Sequence, residues 1–203
     1  MFRSLISALP TALVVFRFLA GPYLLLDAWH GQPGAGFVPV FVLAVLSDIF
    51  DGIIARRLKV VSSFLREADS RADLCLYLCV LASIWRVFPD VVVGFALPLG
   101  ITALSQLLQW ASSLIKYGRL ASYHSYSAKI WGLSLAIATV ALFGFGYAGV
   151  TFWATLAIGT LHNLEEVAMT LILPQWTFDV VTIQKALQIR ASSAATSSTG
   201  AMP

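Results

Sequence analysis

The stretch SDIFDGIIARRLKVVSSFLREADSRADL, residues 47–74, holds five of the chain's ten acidic residues and five of its thirteen basic ones. Long apolar runs flank it, and charge is scarce in them. A 203-residue chain that is 59% hydrophobic and 11% charged, with a mean hydropathy of +0.83, lies outside the range of soluble domains. Its apolar material comes in blocks of about 20 residues, enough to cross a hydrocarbon core of roughly 30 Å as helix. The blocks predict spans at about 5–28, 36–57, 69–89, 91–115, 127–149 and 151–174. The first block is too long for a cleavable signal, contains Arg17 and has no small-residue cleavage site. The predicted class is therefore all-α: a polytopic membrane protein with six transmembrane helices within residues 1–190. A low-complexity tail over 191–203 is expected to be disordered.

Orientation follows from the positions of Lys and Arg. Arg3, then Arg56, Arg57, Lys59, Arg66 and Arg71, then Lys116, Arg119 and Lys129, then Lys185 and Arg190 all fall on one side of the six spans. Arg86 alone falls on the other, and Arg17 lies within the first span. This bias predicts cytoplasmic N- and C-termini and places residues 47–74 at the cytoplasmic face. The net charge of +3 reads as contact with membrane surface and anionic substrates, with no nucleic acid, because no basic stripe interleaved with aromatics occurs. Cys75 and Cys79 read as small core residues. The segment 176–190 is expected to lie along the cytoplasmic interface as a short amphipathic helix.

In that geometry the second span descends with Asp48 and Asp51, and the third climbs back with Asp69 and Asp73. A helical hairpin turning near Lys59–Ser62 brings all four carboxylates to one depth, and the i, i+3 and i, i+4 spacings keep each pair on one helix face. Four carboxylates so close need cations, and carboxylate oxygens suit hard divalent ions such as Mg²⁺ or Mn²⁺. Two such ions would form a device for phosphoryl chemistry. The spacing is equally compatible with simple pairing to Arg56, Arg57, Arg66 and Arg71 at a solvated helix end.

The fuller pattern is more specific. Asp48-x2-Asp51-Gly52-x2-Ala55-Arg56, followed by Asp69-x3-Asp73, resembles the signature of the CDP-alcohol phosphotransferase (CDP-alcohol phosphatidyltransferase) family, D-x2-D-G-x2-A-R-x8-G-x3-D-x3-D. Seven of its eight fixed positions match. The segment TALVVFRFLAGPYLLL, with Arg17 and Pro22, also looks like the family's first span. The departure is Leu65 in place of the second glycine: either its isobutyl group narrows the nucleotide pocket, or the loop turns differently and Leu65 faces lipid.

The resemblance implies transfer of a phosphatidyl group from a CDP-linked lipid, CDP-diacylglycerol in most members, to a small alcohol acceptor with release of CMP. It implies two divalent ions (Mg²⁺ or Mn²⁺) held by Asp48, Asp51 and Asp69 with Asp73 sharing one, and Asp73 as the general base. Gly52 and Ala55 would let the cytidine lie against the second helix beside Asp48, and Arg56 would take a phosphate. It further implies a homodimeric integral membrane protein, in the cytoplasmic membrane if the source is bacterial, with the active site at the cytoplasmic face.

The acceptor is read from the fourth connection, where Lys116, Arg119, His124 and Lys129 gather. Lys129 resembles the lysine that phosphatidylglycerol-phosphate synthases carry there, which favours glycerol 3-phosphate. The Asp69-Ser70-x-x-Asp73 form looks more like phosphatidylserine or phosphatidylinositol-phosphate synthases, so serine and inositol phosphate stay open as acceptors. In the sixth span His162, Asn163, Glu165 and Glu166 are costly in lipid unless they face a bundle interior. They are expected to form a buried network, with Arg17 as one candidate partner, or to line the acceptor cavity, and a second metal site there lies outside the family motif. Gln106 and Gln109 read as helix–helix glue. A transporter and a non-catalytic family member are the competing classes; the first would show repeats and interrupted helices that this sequence lacks.

Overall fold

The computed structural model describes residues 2–58, 63–123 and 125–199, with the side chains of residues 2–8, 51–53, 55–58, 63–67, 70 and 194–199 outside that description. Every regular element among the described residues is helical: α1 (Phe2–Ala28), α2 (Phe37–Leu58), α3 (Ser63–Val87), α4 (Pro89–Gly94), α5 (Ala96–Tyr117), α6 (Tyr126–Phe145), α7 (Gly149–Ile172) and α8 (Ile183–Thr199). Among the described residues two helices, over Leu9–Ala28 and Tyr126–Phe145, are long and apolar enough to cross a membrane by length and composition. The chain divides into two compact units: Met1–Gly94 with Thr139–Tyr147, and Phe95–Ala138 with Ala148–Pro203.

In the first unit α1 packs against both α2 and α3. Its buried positions, Val14, Arg17, Ala20, Gly21, Leu24 and Ala28, recur at three- and four-residue steps and form one stripe. Val15, Phe16, Phe18, Leu19 and Leu26 stay exposed. The helix thus buries Arg17 and turns apolar side chains outward, the reverse of a helix made for water. Phe41 and Ala44 of α2 and Ala72, Leu76 and Val80 of α3 complete the core. Phe37 stacks on Phe143 with ring centroids 3.9 Å apart, and Phe88 meets Phe143 edge-on.

Two neighbouring residues of α1 set how close α3 comes. Pro22 has no N–H to offer the Phe18 carbonyl one turn back, and the Cys75 thiol lies 3.9 Å from that oxygen as a weak donor. Gly21 leaves room for the α3 backbone: a Cβ here would sit 3.1 Å from Leu76 Cα and 3.2 Å from the Cys75 oxygen.

In the second unit α5 packs against α7, and α8 also lies on α7. The α5–α7 seam is polar. Thr102 Oγ1 bonds to Thr160 Oγ1 and to the Leu156 oxygen, Asn163 Nδ2 donates to Ser105 Oγ, and Gln109 Nε2 donates to Glu166 Oε2. Leu104, Leu107, Leu108, Ile115, Leu161 and Leu171 face outward. Gly159 admits Trp131, whose Nε1 would be 2.5 Å from an added Cβ.

Two expectations need correction. The apolar run over 91–115 is not one helix: α4 ends at Gly94, and Phe95 (φ −105°, ψ 15°) breaks the chain before α5. Proline at 89 starts α4, because the preceding Phe88 is pushed out of helical geometry. The segment 176–190 is helical only from Ile183, since residues 173–182 run irregularly across a small core of Tyr123, Met169, Leu173, Val180 and Ala186. The helix α8 runs from Ile183 to Thr199. Alanine favours helix, and Ser192 and Ser193 turn their hydroxyls back onto the Ile189 carbonyl.

Candidate active site

The end of α2 and the start of α3 carry the aspartates, and α1 carries what lies between them. Asp48 follows the buried Ser47, whose hydroxyl donates to the Ala44 carbonyl. Asp69 and Asp73 stand one turn apart on α3. Ligand oxygens of Asp48, Asp69 and Asp73 all lie within 4.8 Å of one another, and they form the one such His/Cys/Asp/Glu group among the described residues.

Arg17, fully buried, reaches into this cluster. Its Nη1 is 2.9 Å from Asp48 Oδ1, 2.8 Å from Asp69 Oδ1 and in hydrogen-bond contact with Asp73 Oδ1. One NH₂ group carries two hydrogens, so a nitrogen facing three carboxylates acts largely as a positive charge held among them. The three aspartates are part-exposed (47%, 35% and 37%) while the arginine is at 0%. The cation therefore lies on the inner side, and the carboxylates open outward.

Those residues fit a divalent cation. All three donors are hard carboxylate oxygens, their mutual distances allow convergence on one ion, and one built-in positive charge leaves the cluster net negative. Asp51 lies on α2 one turn beyond Asp48, but its side chain is outside the described residues, as are those of Ala55, Arg56 and Leu65 and the surroundings of Gly52. The turn at Lys59–Ser62 and His124 are also outside them.

In the second unit the basic residues of the fourth connection have distinct surroundings. Lys116 Nζ donates to the Thr170 and Leu171 carbonyls at the end of α7, where a cation also meets the negative end of the helix dipole. The Arg119 guanidinium stacks 3.9 Å from the centre of the Trp176 ring. Lys129, exposed on the first turn of α6, lies 5.3 Å from the Tyr126 ring. His162 Nδ1 is 3.0 Å from Ser127 Oγ, and its Nε2 is 3.8 Å from Glu166 Oε1. Gln106 bonds to Gln109, which holds Glu166, so the glutamines do join two helices. The network of His162 and Glu166 is thus closed by α5 and α6 residues, whereas Arg17 is engaged by aspartates.

Arg17 is the residue the sequence reading placed wrongly. The signal was present: a lone arginine well inside an apolar block needs a buried acid, and the chain's densest acids belong to the next two helices.

Comparison with known proteins follows the same residues. Over 75 residues the chain is 39% identical to a CDP-diacylglycerol–glycerol-3-phosphate 3-phosphatidyltransferase of Rickettsia bellii, covering 36% of this chain and 41% of that protein. Proteins of the same name from Cereibacter sphaeroides (28% over 127 residues, 57% of each) and Wigglesworthia glossinidia brevipalpis (30% over 94 residues, 42% of this chain and 52% of that one) also match. The chain spans about half the length of the curated relatives it matches. No solved structure matches it. The family pattern of CDP-alcohol phosphatidyltransferase matches residues 7–181, which take in α1 with Arg17 and every aspartate of the cluster. With most of its length matched, the chain belongs to the CDP-alcohol phosphatidyltransferase family.

Proposed function

We propose that this protein transfers a phosphatidyl group from CDP-diacylglycerol to glycerol 3-phosphate and releases CMP. The observation that carries the reading is the convergence of Asp48, Asp69 and Asp73 beside a buried arginine, within a chain whose relatives are named for that reaction. In this reading the acceptor oxygen forms a bond to the phosphatidyl phosphorus while the bond to CMP breaks, the electron pair leaving with CMP. Asp73 receives the acceptor's hydroxyl proton. Asp48, Asp51, Asp69 and Asp73 would hold two Mg²⁺ or Mn²⁺ ions. Bound there, the ions would neutralise the diphosphate and the charge developing on the leaving group. Gly52 and Ala55 leave space for cytidine on α2, and Arg56 offers a planar fork to a donor phosphate.

The architecture belongs to the same proposal. Spans formed by α1, α2, α3, α4 with α5, α6 and α7, with both termini cytoplasmic, set the acyl chains in bilayer and the diphosphate at its inner boundary. The protein would act as a homodimer in a membrane, the cytoplasmic one if its source is bacterial.

The test is a product assay with purified protein, CDP-diacylglycerol, Mn²⁺ or Mg²⁺, and labelled glycerol 3-phosphate, inositol phosphate, inositol and serine side by side. Turnover with glycerol 3-phosphate, lost in excess chelator and restored by the metal, is the expected result. Full turnover in chelator would sink the metal reading, and product from serine alone would overturn the acceptor.

Lys129 is the exposed cation of the fourth connection best placed to meet an acceptor phosphate, since Lys116 is committed to α7 carbonyls and Arg119 to Trp176. A charge-assisted hydrogen bond contributes roughly 1.5–3 kcal/mol. Lys129→Ala should therefore raise the acceptor KM about tenfold or more while the donor KM stays nearly constant. Unchanged acceptor kinetics would remove Lys129 from the site.

A further inference from the structure

We infer that Arg17 is a built-in counter-ion of the aspartate cluster, a positioning residue that assembles the carboxylates before any metal arrives. The inference rests on the metal-site reading for its functional meaning and on geometry for its substance. Three carboxylate oxygens lie within 4.8 Å of one another, close enough to repel strongly at a low-dielectric boundary. Arg17 Nη1 contacts Oδ1 of all three. A guanidinium cannot lose its proton in a protein, so this charge is permanent.

Burial is asymmetric: the arginine is inaccessible and the aspartates are part-open. Arg17 thus forms the floor of the cluster, orienting each carboxylate from beneath and leaving the outer side for ligands. The contacts join helices 31 (48 − 17), 52 and 56 residues apart, so the same charge that orients the ligands ties α1 to α2 and α3. A soluble-protein arginine at a helix surface would do neither.

The test uses thermal unfolding of the detergent-purified full chain in EDTA and in excess Mn²⁺, for wild type, Arg17→Met, Arg17→Lys, Asp69→Asn and the Arg17→Met/Asp69→Asn double variant. Arg17→Met removes the charge at similar volume. Its midpoint in EDTA should fall about 5 °C or more below wild type, and Mn²⁺ should recover much of that loss. Arg17→Lys should fall between. Removing one carboxylate should relieve the uncompensated charge, so the double variant should melt above Arg17→Met in EDTA, whereas Asp69→Asn alone should not raise the wild-type midpoint.

An equal loss in EDTA and Mn²⁺, or no relief in the double variant, would reduce Arg17 to a packing residue and overturn the inference. If Arg17→Met can be purified only with Mn²⁺ present, the inference stands. If it cannot be purified at all, Arg17→Lys with and without Asp69→Asn decides it by the same criterion. Wild type unresponsive to Mn²⁺ would instead end the metal reading, while the comparison in EDTA still judges Arg17.

Discussion

Asp73→Asn is expected to lower kcat by about a thousandfold, with donor binding largely preserved. Asparagine keeps the shape of the side chain and one coordinating oxygen but cannot accept a proton. Its Oδ1 can still meet Arg17 Nη1, so the floor of the cluster should survive the substitution. Asp48→Asn should behave differently, because the loss of a negative ligand without the loss of a base weakens metal and nucleotide binding together. The measurement is kcat with equilibrium binding of a non-reacting CDP-linked lipid for both variants. Near-normal turnover of Asp73→Asn would show that another group takes the proton. Weakened donor binding equal to that of Asp48→Asn would make Asp73 a ligand only.

Gly21→Val should be the most damaging substitution away from the charges. Gly21 lies one turn after Arg17, and Leu76, whose backbone it touches, lies almost one turn after Asp73. A Cβ at 3.1–3.3 Å from Leu76 Cα and N and the Cys75 oxygen meets backbone atoms, which cannot rotate aside. Alanine should force α1 and α3 apart by a few tenths of an ångström, and valine by more. Overpacking of this kind costs about 1–3 kcal/mol. The larger consequence is for the site, since widening the gap pulls Asp69 and Asp73 from Arg17, and misplacements near 1 Å cost on the order of a hundredfold in rate. Turnover should therefore rank wild type, Gly21→Ala, Gly21→Val, with a drop of about a hundredfold at valine. A valine variant with wild-type kcat would mean that the α1–α3 separation does not govern the chemistry.

What could be read beforehand follows from which properties survive in one dimension. The helices α1, α2, α6 and α7 fall close to the apolar blocks at 5–28, 36–57, 127–149 and 151–174, because hydropathy over 20 residues is a sum and tolerates local detail. The break at Phe95 escaped for the same reason: Gly94, Phe95 and Ala96 are all apolar, and a sum does not register a change of backbone angle. Asp69 and Asp73 could be placed together from i, i+4 spacing alone, and matching them to Asp48 needed only a hairpin. Arg17 was harder, since choosing its partner required knowing which face of α1 meets α2 and α3. The buried stripe through Val14, Ala20, Gly21 and Leu24 holds that information, but every neighbouring position on the helix is apolar too. The contacts of Lys116 with Thr170 and Leu171 were not legible, because its partners there are backbone carbonyls that no side-chain pattern advertises.

The pairing of Arg17 with acids so far along the chain also bears on how the protein is made. Residues leave the ribosome in order, so α1, as a membrane span, would arrive with its arginine well before Asp69 has been synthesised. At elongation rates of roughly 5–20 residues per second, those 52 residues take about 3–10 s. Through that interval a charge eight positions inside the segment Leu9–Ala28 costs about 2.5–3.5 kcal/mol to leave in lipid. Asp48 on α2 is the first acid able to relieve it, and Asp69 and Asp73 follow on α3. If α1 is a span, its insertion would stay provisional until the third helix has been translated, and its release into lipid would be coupled to the birth of the site itself.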